Sequence, residues 1–543
     1  MKLLDKQFRK AAPHLINFAL GNNILRKAAA NYARKYLYKV IVEDDTEYTK
    51  NIRYERFKIL SNLTVTLEKA LTNKNISPPV RKKLIDVFIG RVFLNNEYMN
   101  KNVKEFIKEF AQEPPGFITI SPGKKCNLRC IGCYAASGGE FKEKLDYATV
   151  NRIVQEKTDL WGSFFTVISG GEPLLWKSDG KGILDLARDH PDNYFMFYTN
   201  GTLINKKVAK EMAKLGNLTP AISVEGFEQE TDERRGKGVF KKVLEAMENL
   251  REVGVPFGIS LTATKYNAEK VISDELVDFF FEEQGAIYGW IFQYMPIGRH
   301  QSLELMVTPE QRKWMFEQEK HIIHDKNVFL PDFWNGGVYS SGCLAGGRAG
   351  GYIYIEWNGN ITPCVFYPYS QLNINDIYKN GGNLNDALKT PLMKGVRKWQ
   401  LDYGFGKSGK DVHNLIAPCG IRDHYDFTHD LLEKTKPIPI DENAAEAVED
   451  PLYYKGMVEY DKKFQELTDG IWQNEFISEQ ANMHTPANRG GNGVAKNKGN
   501  GKFETNNNGN GKASKKRESK IKITKNGKLI ENSVEKMREK IVN

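Results

Sequence analysis

The sequence predicts an α/β protein, a parallel sheet or partial barrel of six strands alternating with helices, with a helical segment before it and a smaller, loop-rich domain after it. Three observations carry this. Between residue 117 and about residue 300, short apolar runs alternate with helical stretches, the order expected of repeated βα units. Pro114, Pro115 and Gly116 break a helical pattern just ahead of that region. From about residue 336 the composition turns to Gly, Tyr and Asn, with only short strand-like pieces.

Taken in order, residues 22–42 place Leu25, Ala28, Tyr32, Tyr36 and Val40 at spacings of three and four, while Arg26, Lys27, Arg34, Lys35 and Lys39 fall mostly on other faces. This is the pattern of a basic amphipathic helix, and further helices are expected to about residue 110. The six predicted strands are Phe117 to Ile120, Phe164 to Ser169, Tyr194 to Tyr198, Pro220 to Val224, Phe257 to Thr262 and Ile287 to Tyr294. Sites in such folds collect in the loops at the carboxyl ends of the strands. Tyr352 to Trp357 and Ile361 to Phe366 read as strands of the smaller domain, and residues 450–482 as helical again. The Gly-, Asn- and Lys-rich stretch 485–518 reads as a disordered linker. Asn526 and Gly527 beyond it suit a hairpin turn between 521–524 and 528–530, followed by a helix over 532–542. The predicted division is 1–110, 114–300, a connection 301–335, then 336–440, a helical extension 441–484, and a tail 485–543.

The chain has 543 residues and a formal net charge of +10. Residues 485–543 hold 15 Lys and Arg against 5 acids, which accounts for the whole excess. Residues 1–40 carry nine basic residues against Asp5 alone, so the body between the two basic ends is slightly acidic. The tail has one aromatic, Phe503, so base stacking is not expected and nucleic acid would be held only nonspecifically and in a salt-sensitive way. No apolar run of about 18 residues exists, and Asp5, Lys6, Arg9 and Lys10 interrupt the start where a signal peptide needs its apolar region. A cytoplasmic, non-spanning protein is expected. The basic N-terminal helix suits peripheral adsorption to an anionic membrane, although a core-packing helix with a solvated basic face is the more common origin of any single such pattern. Six cysteines are too few for a disulfide scaffold in a chain of this length and point to metal or catalytic use.

Their spacing is specific. The first predicted strand runs into Cys126-Asn-Leu-Arg-Cys130-Ile-Gly-Cys133-Tyr134, three thiols in one strand-end loop. A structural zinc site needs a fourth ligand, and the nearest histidines in sequence are His14 and His190. Three thiolates on a four-iron cluster leave one iron open to a ligand.

This C-x3-C-x2-C loop resembles the signature of the radical S-adenosylmethionine (SAM) superfamily, and later strand ends continue the likeness. The resemblance implies a partial (β/α)6 TIM-like barrel, a SAM-binding [4Fe–4S] cluster on Cys126, Cys130 and Cys133, and SAM itself. Gly170-Gly171-Glu172-Pro173 corresponds to the motif that helps hold the methionine amino group, its glycines allowing a close backbone approach to a ligand. Asn200, Ser223 and Glu225 stand where the family places polar contacts to ribose or methionine. Arg235 matches an Arg that pairs with the methionine carboxylate, with Arg234 an alternative. Singly, each piece has a plainer reading as a turn, a solvated polar group or a surface ion pair. One departure is Gly132, where many members carry an aromatic residue.

The remaining cysteines, Cys343, Cys364 and Cys419, lie in the loop-rich domain. Cys343, Gly359 and Cys364 resemble the opening of the SPASM and Twitch auxiliary domains, which implies a second, auxiliary [4Fe–4S] cluster on three thiolates, with Asp423 or His424 as a candidate fourth ligand. Zinc completed by His413, His424 or His429 is the alternative. Arg299, after the sixth strand, reads either as a reach toward an acidic group or as part of a packed lid. The implied chemistry is reductive cleavage of SAM to a 5′-deoxyadenosyl radical that takes hydrogen from an unactivated C–H bond, with an electron from a partner such as ferredoxin or flavodoxin. No strand-turn-strand module precedes the core, and the basic N-terminal helix directs the substrate expectation to a small molecule, a membrane lipid or an acyl chain. A peptide or protein maturase is the alternative, and a metal-stabilised nucleic-acid-binding or scaffold protein the non-enzyme one.

Overall fold

The computed structural model describes residues 23–72, 76–94 and 101–478, all within one compact unit, Met1–Met483. The expected linker, hairpin and helix beyond residue 484, and the first 22 residues of the basic N-terminal segment, lie outside the described residues.

All six expected strands form, shifted by at most two residues. They are β1 (Phe117–Ile120), β2 (Phe165–Ile168), β3 (Tyr194–Thr199), β4 (Leu218–Val224), β5 (Gly258–Ala263) and β6 (Tyr288–Gln293). Adjacent strands are parallel, with Ile118 beside Thr166 and Val167 beside Met196. β4 begins ahead of Pro220 because Leu218 already pairs with Phe195. The outward residues of these strands are fully buried under the connecting helices, as Ile118, Ile120 and Ile222 illustrate, which is why they read as nearly continuous apolar runs. Helix boundaries are written in the sequence where they matter. Asp146 caps the helix Tyr147–Trp161 by accepting from the Thr149 N–H, and Gly162 ends it at φ 60°.

The loop-rich region adds strands to this same sheet. β7 (Tyr352–Ile355) pairs in parallel with β1 along its whole length, and β8 (Asn360–Thr362) and β10 (Leu372–Asn373) follow antiparallel, giving nine strands in the order β10-β8-β7-β1-β2-β3-β4-β5-β6. β9 (Tyr369–Ser370) pairs separately with β11 (Ile438–Pro439). The β1–β7 seam starts at a tight crossing, since a Cβ on Gly116 would lie 2.9 Å from the Gly350 carbonyl oxygen. At the other end β6 is paired by an extended segment, where Gly289 N–H donates to Phe329 and Ile291 N–H to Pro331.

The N-terminal helix Asn23–Tyr38 packs on the helix Lys50–Thr72 through an edge contact of Tyr38 with Phe57 and an ion pair of Arg34 with Glu68. Tyr48 and Ile52 share a small core with Trp472 and Phe476, so both helical ends meet on the body. Among the described residues no helix is long and apolar enough to cross a membrane.

A pocket between two sets of cysteines

Alternate residues of the parallel strands face the concave side of the sheet and line a cavity of about 300 Å³. The lining is divided. β4 and β5 contribute Ser223, Ser260 and Thr262, small side chains with hydroxyls, whereas β1, β2, β3 and β6 contribute Phe117, Phe165, Tyr198, Trp290 and Phe292, with Thr119, Thr199 and Gln293 as their polar members.

The loop carrying Cys126, Cys130 and Cys133 forms one end, and all three thiols border the cavity. Its shape is fixed mainly by backbone bonds. Cys126 N–H donates to Gly138 and Ile131 N–H to Arg234, while Arg299 N–H donates to the Cys133 carbonyl, each at 3.0 Å. The Arg299 guanidinium is buried and donates to the carbonyls of Cys130 and Ser137, so of its two expected roles it takes the packed one rather than reaching an acid. Gly298, at φ +70°, lies so close that a Cβ there would come within 2.3 Å of the Tyr134 oxygen. Gly132 is explained in the same way. Its φ is +61° and a Cβ would meet the Tyr294 ring at 2.6 Å, so an aromatic from β6's following loop occupies the space an aromatic at 132 would need. Tyr134 turns inward, its hydroxyl 2.5 Å from Ser169 Oγ.

The Gly170-Gly171 step lies against this loop. A Cβ on Gly171 would come within 2.2 Å of the Lys125 carbonyl oxygen, so this glycine serves a close approach to the chain itself, and both Gly170 and Gly171 border the cavity. Glu172 and Pro173 lie behind the lining. The buried Glu172 carboxylate accepts from Thr199 Oγ1 at 2.8 Å and from the N–H of Asn200 at 2.9 Å, and burial pushes its pKa up to about 7. Asn200 does reach the cavity, with Nδ2 2.9 Å from Asn127 Oδ1 and 3.8 Å from Cys126 Sγ. Glu225 is likewise a buried anchor, holding both Arg234 and Arg235 and accepting from Thr262 N–H at 3.0 Å. Ser223, Arg234 and Arg235 line the cavity.

Burial pushes the Cys126 thiol up to about 12 and raises Cys130, the latter opposed by the charge of Arg235. Cys126 Sγ accepts from Leu128 N–H at 3.4 Å. Among the described residues no group of three or more His, Cys, Asp or Glu is drawn together around a single metal ion. Three thiols on one cavity, an N–H aimed at one sulfur and an arginine beside another form a donor set that fits an iron–sulfur cluster, whose positive irons replace the missing counter-charge for thiolates.

Neighbours of the second set line the opposite end. Cys364 is buried, Cys343 and Cys419 are half-buried, and all three belong to one aromatic-rich core. Burial and the neighbouring Cys343 push Cys364 up to about 12, and burial with Cys343 and Asp423 raises Cys419. None of the three borders the cavity, but their neighbours Leu344, Val365 and Phe366 do. Arg348, buried, fastens the Cys343 loop by donating to the carbonyls of Cys343, Ser340, Gly342 and Ala349, and Gln400 donates to Cys343 and Ala345. Asp423 does not stand open as a ligand: its carboxylate is gripped by both terminal nitrogens of Arg312 and accepts from Cys419 N–H at 3.0 Å. His424 is held by the Ala417 carbonyl and packs on Trp399 and Tyr403, while His413 stacks on Tyr403 and His429 packs on Tyr454.

The sequence profile of the Radical SAM superfamily matches residues 120–273, which span β1 to β5 and include the cysteine loop. These residues form a radical SAM domain. The cofactors of that family are a [4Fe–4S] cluster and SAM. The chain is 28% identical over 174 residues to the Fe-coproporphyrin III synthase of Methanosarcina barkeri, which covers 32% of this chain and 43% of that enzyme. It is 28% identical over 315 residues to the mycofactocin maturase MftC of Mycolicibacterium smegmatis, covering 55% of this chain and 77% of the maturase. The sporulation killing factor maturation protein SkfB of Bacillus subtilis is 27% identical over 266 residues, 45% of this chain and 59% of SkfB. Among solved structures, SuiB of Streptococcus suis bound to its precursor peptide aligns with a TM-score of 0.44 at 22% identity, covering 55% of this chain and 70% of SuiB.

The aromatic half of the pocket, Phe117, Phe165, Tyr198, Trp290, Phe292 and Phe366, was not singled out from the sequence. Period-two alternation within the strands was the available signal, but facing direction cannot be assigned until it is known which side of the sheet the helices cover.

Proposed function

We propose that the protein is a radical SAM enzyme that modifies a peptide, with one [4Fe–4S] cluster on Cys126, Cys130 and Cys133 and a second on Cys343, Cys364 and Cys419. The observation that carries this reading is the single cavity running from the first cysteine loop to Leu344, Val365 and Phe366, the neighbours of the second set. A substrate placed there is reachable from both ends. Cys126, Cys130 and Cys133 would hold the first cluster, which, reduced by a partner such as ferredoxin or flavodoxin, would supply one-electron reductive cleavage of bound SAM.

The chain's own residues orient and shield. Arg235, aimed by Glu225, offers its guanidinium edge to a carboxylate; Asn200 and Ser223 offer hydrogen bonds along the same side; and the aromatic wall keeps water from the reacting C–H bond. MftC and SkfB, both named as maturation proteins, favour the peptide alternative over the lipid one. The packing of Asn23–Tyr38 against Lys50–Thr72 supports the core-packing reading of that helix.

Anaerobically reconstituted protein is expected to hold about eight irons. With SAM and dithionite it should release 5′-deoxyadenosine faster when given its precursor peptide, sought among small open reading frames beside the gene, than when given lipid vesicles. Zinc in place of iron, or stimulation by vesicles and by no peptide, would sink the reading.

A further inference from the structure

The cavity's division carries a statement about what enters it. Phe292, Phe333 and Phe366 form a triangle of rings with centroids 5.4 to 5.9 Å apart, backed by Trp334 at 4.7 Å from Phe366. Tyr134, next to Cys133, meets Phe366 at 6.0 Å, and Phe366 is two residues from Cys364. The wall therefore runs from the first cysteine loop to the second set. The charged side chains of the lining are Arg234 and Arg235, both tied to Glu225, and no carboxylate belongs to it.

Taking the peptide reading as its basis, we propose that the reacting side chain is uncharged and apolar or aromatic, seated on the Phe292, Phe333 and Phe366 wall, and that charged side chains are rejected. The cofactor belongs on the hydroxyl-bearing half over β4 and β5, where small residues leave room and hydrogen-bonding groups stand. The aromatic half offers an incoming charge only the neutral polar groups of Thr119, Trp290 and Gln293 and no opposite charge, so stripping its water costs several kcal/mol, whereas an apolar group gains about 25 cal/mol per Å² buried and a ring adds stacking. An ammonium could find ring faces, but two fixed guanidinium groups in the same cavity oppose it.

Two small probes test this on the holoenzyme: perdeuterated p-cresol and perdeuterated n-butylammonium. In equilibrium dialysis p-cresol should be retained at least tenfold more strongly. Phe366→Asp should erase the preference, and Phe366→Leu, which keeps the wall apolar, should preserve it. With SAM and dithionite, one electron from dithionite cleaves SAM and one deuterium atom passes from a probe C–D bond to the 5′ carbon, leaving a probe radical. Deuterium should appear in 5′-deoxyadenosine from p-cresol at least ten times more than from butylammonium. Equal retention of the two probes, retention of neither, or as much deuterium from butylammonium as from p-cresol would overturn the proposal. Failure of the underlying reading looks different: iron content near zero and no SAM cleavage, even where p-cresol is retained selectively.

Discussion

The two cysteine sets solve one problem in opposite ways. Cys126, Cys130 and Cys133 sit in one eight-residue loop at a strand end, open to the cavity, and arginines from two later segments, Arg234 and Arg299, hold that loop in place. Cys343, Cys364 and Cys419 come from three separated segments, lie in an aromatic core away from the cavity surface, and depend on packing to meet. A local loop needs only its own backbone bonded in one shape. A dispersed set needs the whole surrounding domain folded before its thiols are neighbours, because loop-closure entropy must be offset by many contacts at once. The second site should therefore be lost with tertiary structure and the first with local geometry.

Three changes sharpen that contrast. Gly298→Ala has the largest expected effect, about 3–5 kcal/mol, because it combines a left-handed backbone angle with a Cβ forced onto the Tyr134 and Cys133 carbonyls. Iron at the first site should fall in reconstituted protein while the signal of the second remains, as read by electron paramagnetic resonance with each triplet of cysteines replaced in turn. Arg348→Met should cost about 2–4 kcal/mol, since the Ser340 and Ala349 carbonyls lose their side-chain donor while those of Cys343 and Gly342 keep only Gln400 and Ser340, and should deplete the second site selectively. Loss of both sites in equal measure in either variant would erase the distinction. The smallest effect concerns pH. The Glu172 pKa is raised to about 7 by burial, so the folded state binds a proton that the unfolded state has already released above its ordinary 4.5. Stability from this group is full below 4.5 and falls as pH rises toward 7, by roughly 2 kcal/mol between pH 5 and pH 7. Denaturant titrations should recover that slope in the parent and a flatter one in Glu172→Gln.

Much of this was legible in the residues. The six runs from Phe117 to Tyr294 became strands because β-branched and aromatic residues buried on both faces have few other low-energy arrangements. The first cysteine loop was legible for the same local reason. Asp423 was not, since nothing near it in sequence announces that Arg312, 111 residues earlier, takes its carboxylate. Glu172 and Glu225, expected at the ligand, are bonded to Thr199 and to the two arginines and do not line the cavity, because a motif specifies which residues gather and not which of them turn inward.

By itself, then, the sequence determined the strand order, the chemistry of the first loop and the split of six cysteines into two triplets, all properties written over short stretches where neighbours in sequence are neighbours in space. Tertiary structure decided that β7 joins β1 in one sheet, that the cavity has a hydroxyl half and an aromatic half, and that the first triplet borders it while only neighbours of the second do. Those features depend on which strand faces meet, contacts between segments far apart in sequence, such as Phe117 beside Tyr352, that no local pattern encodes.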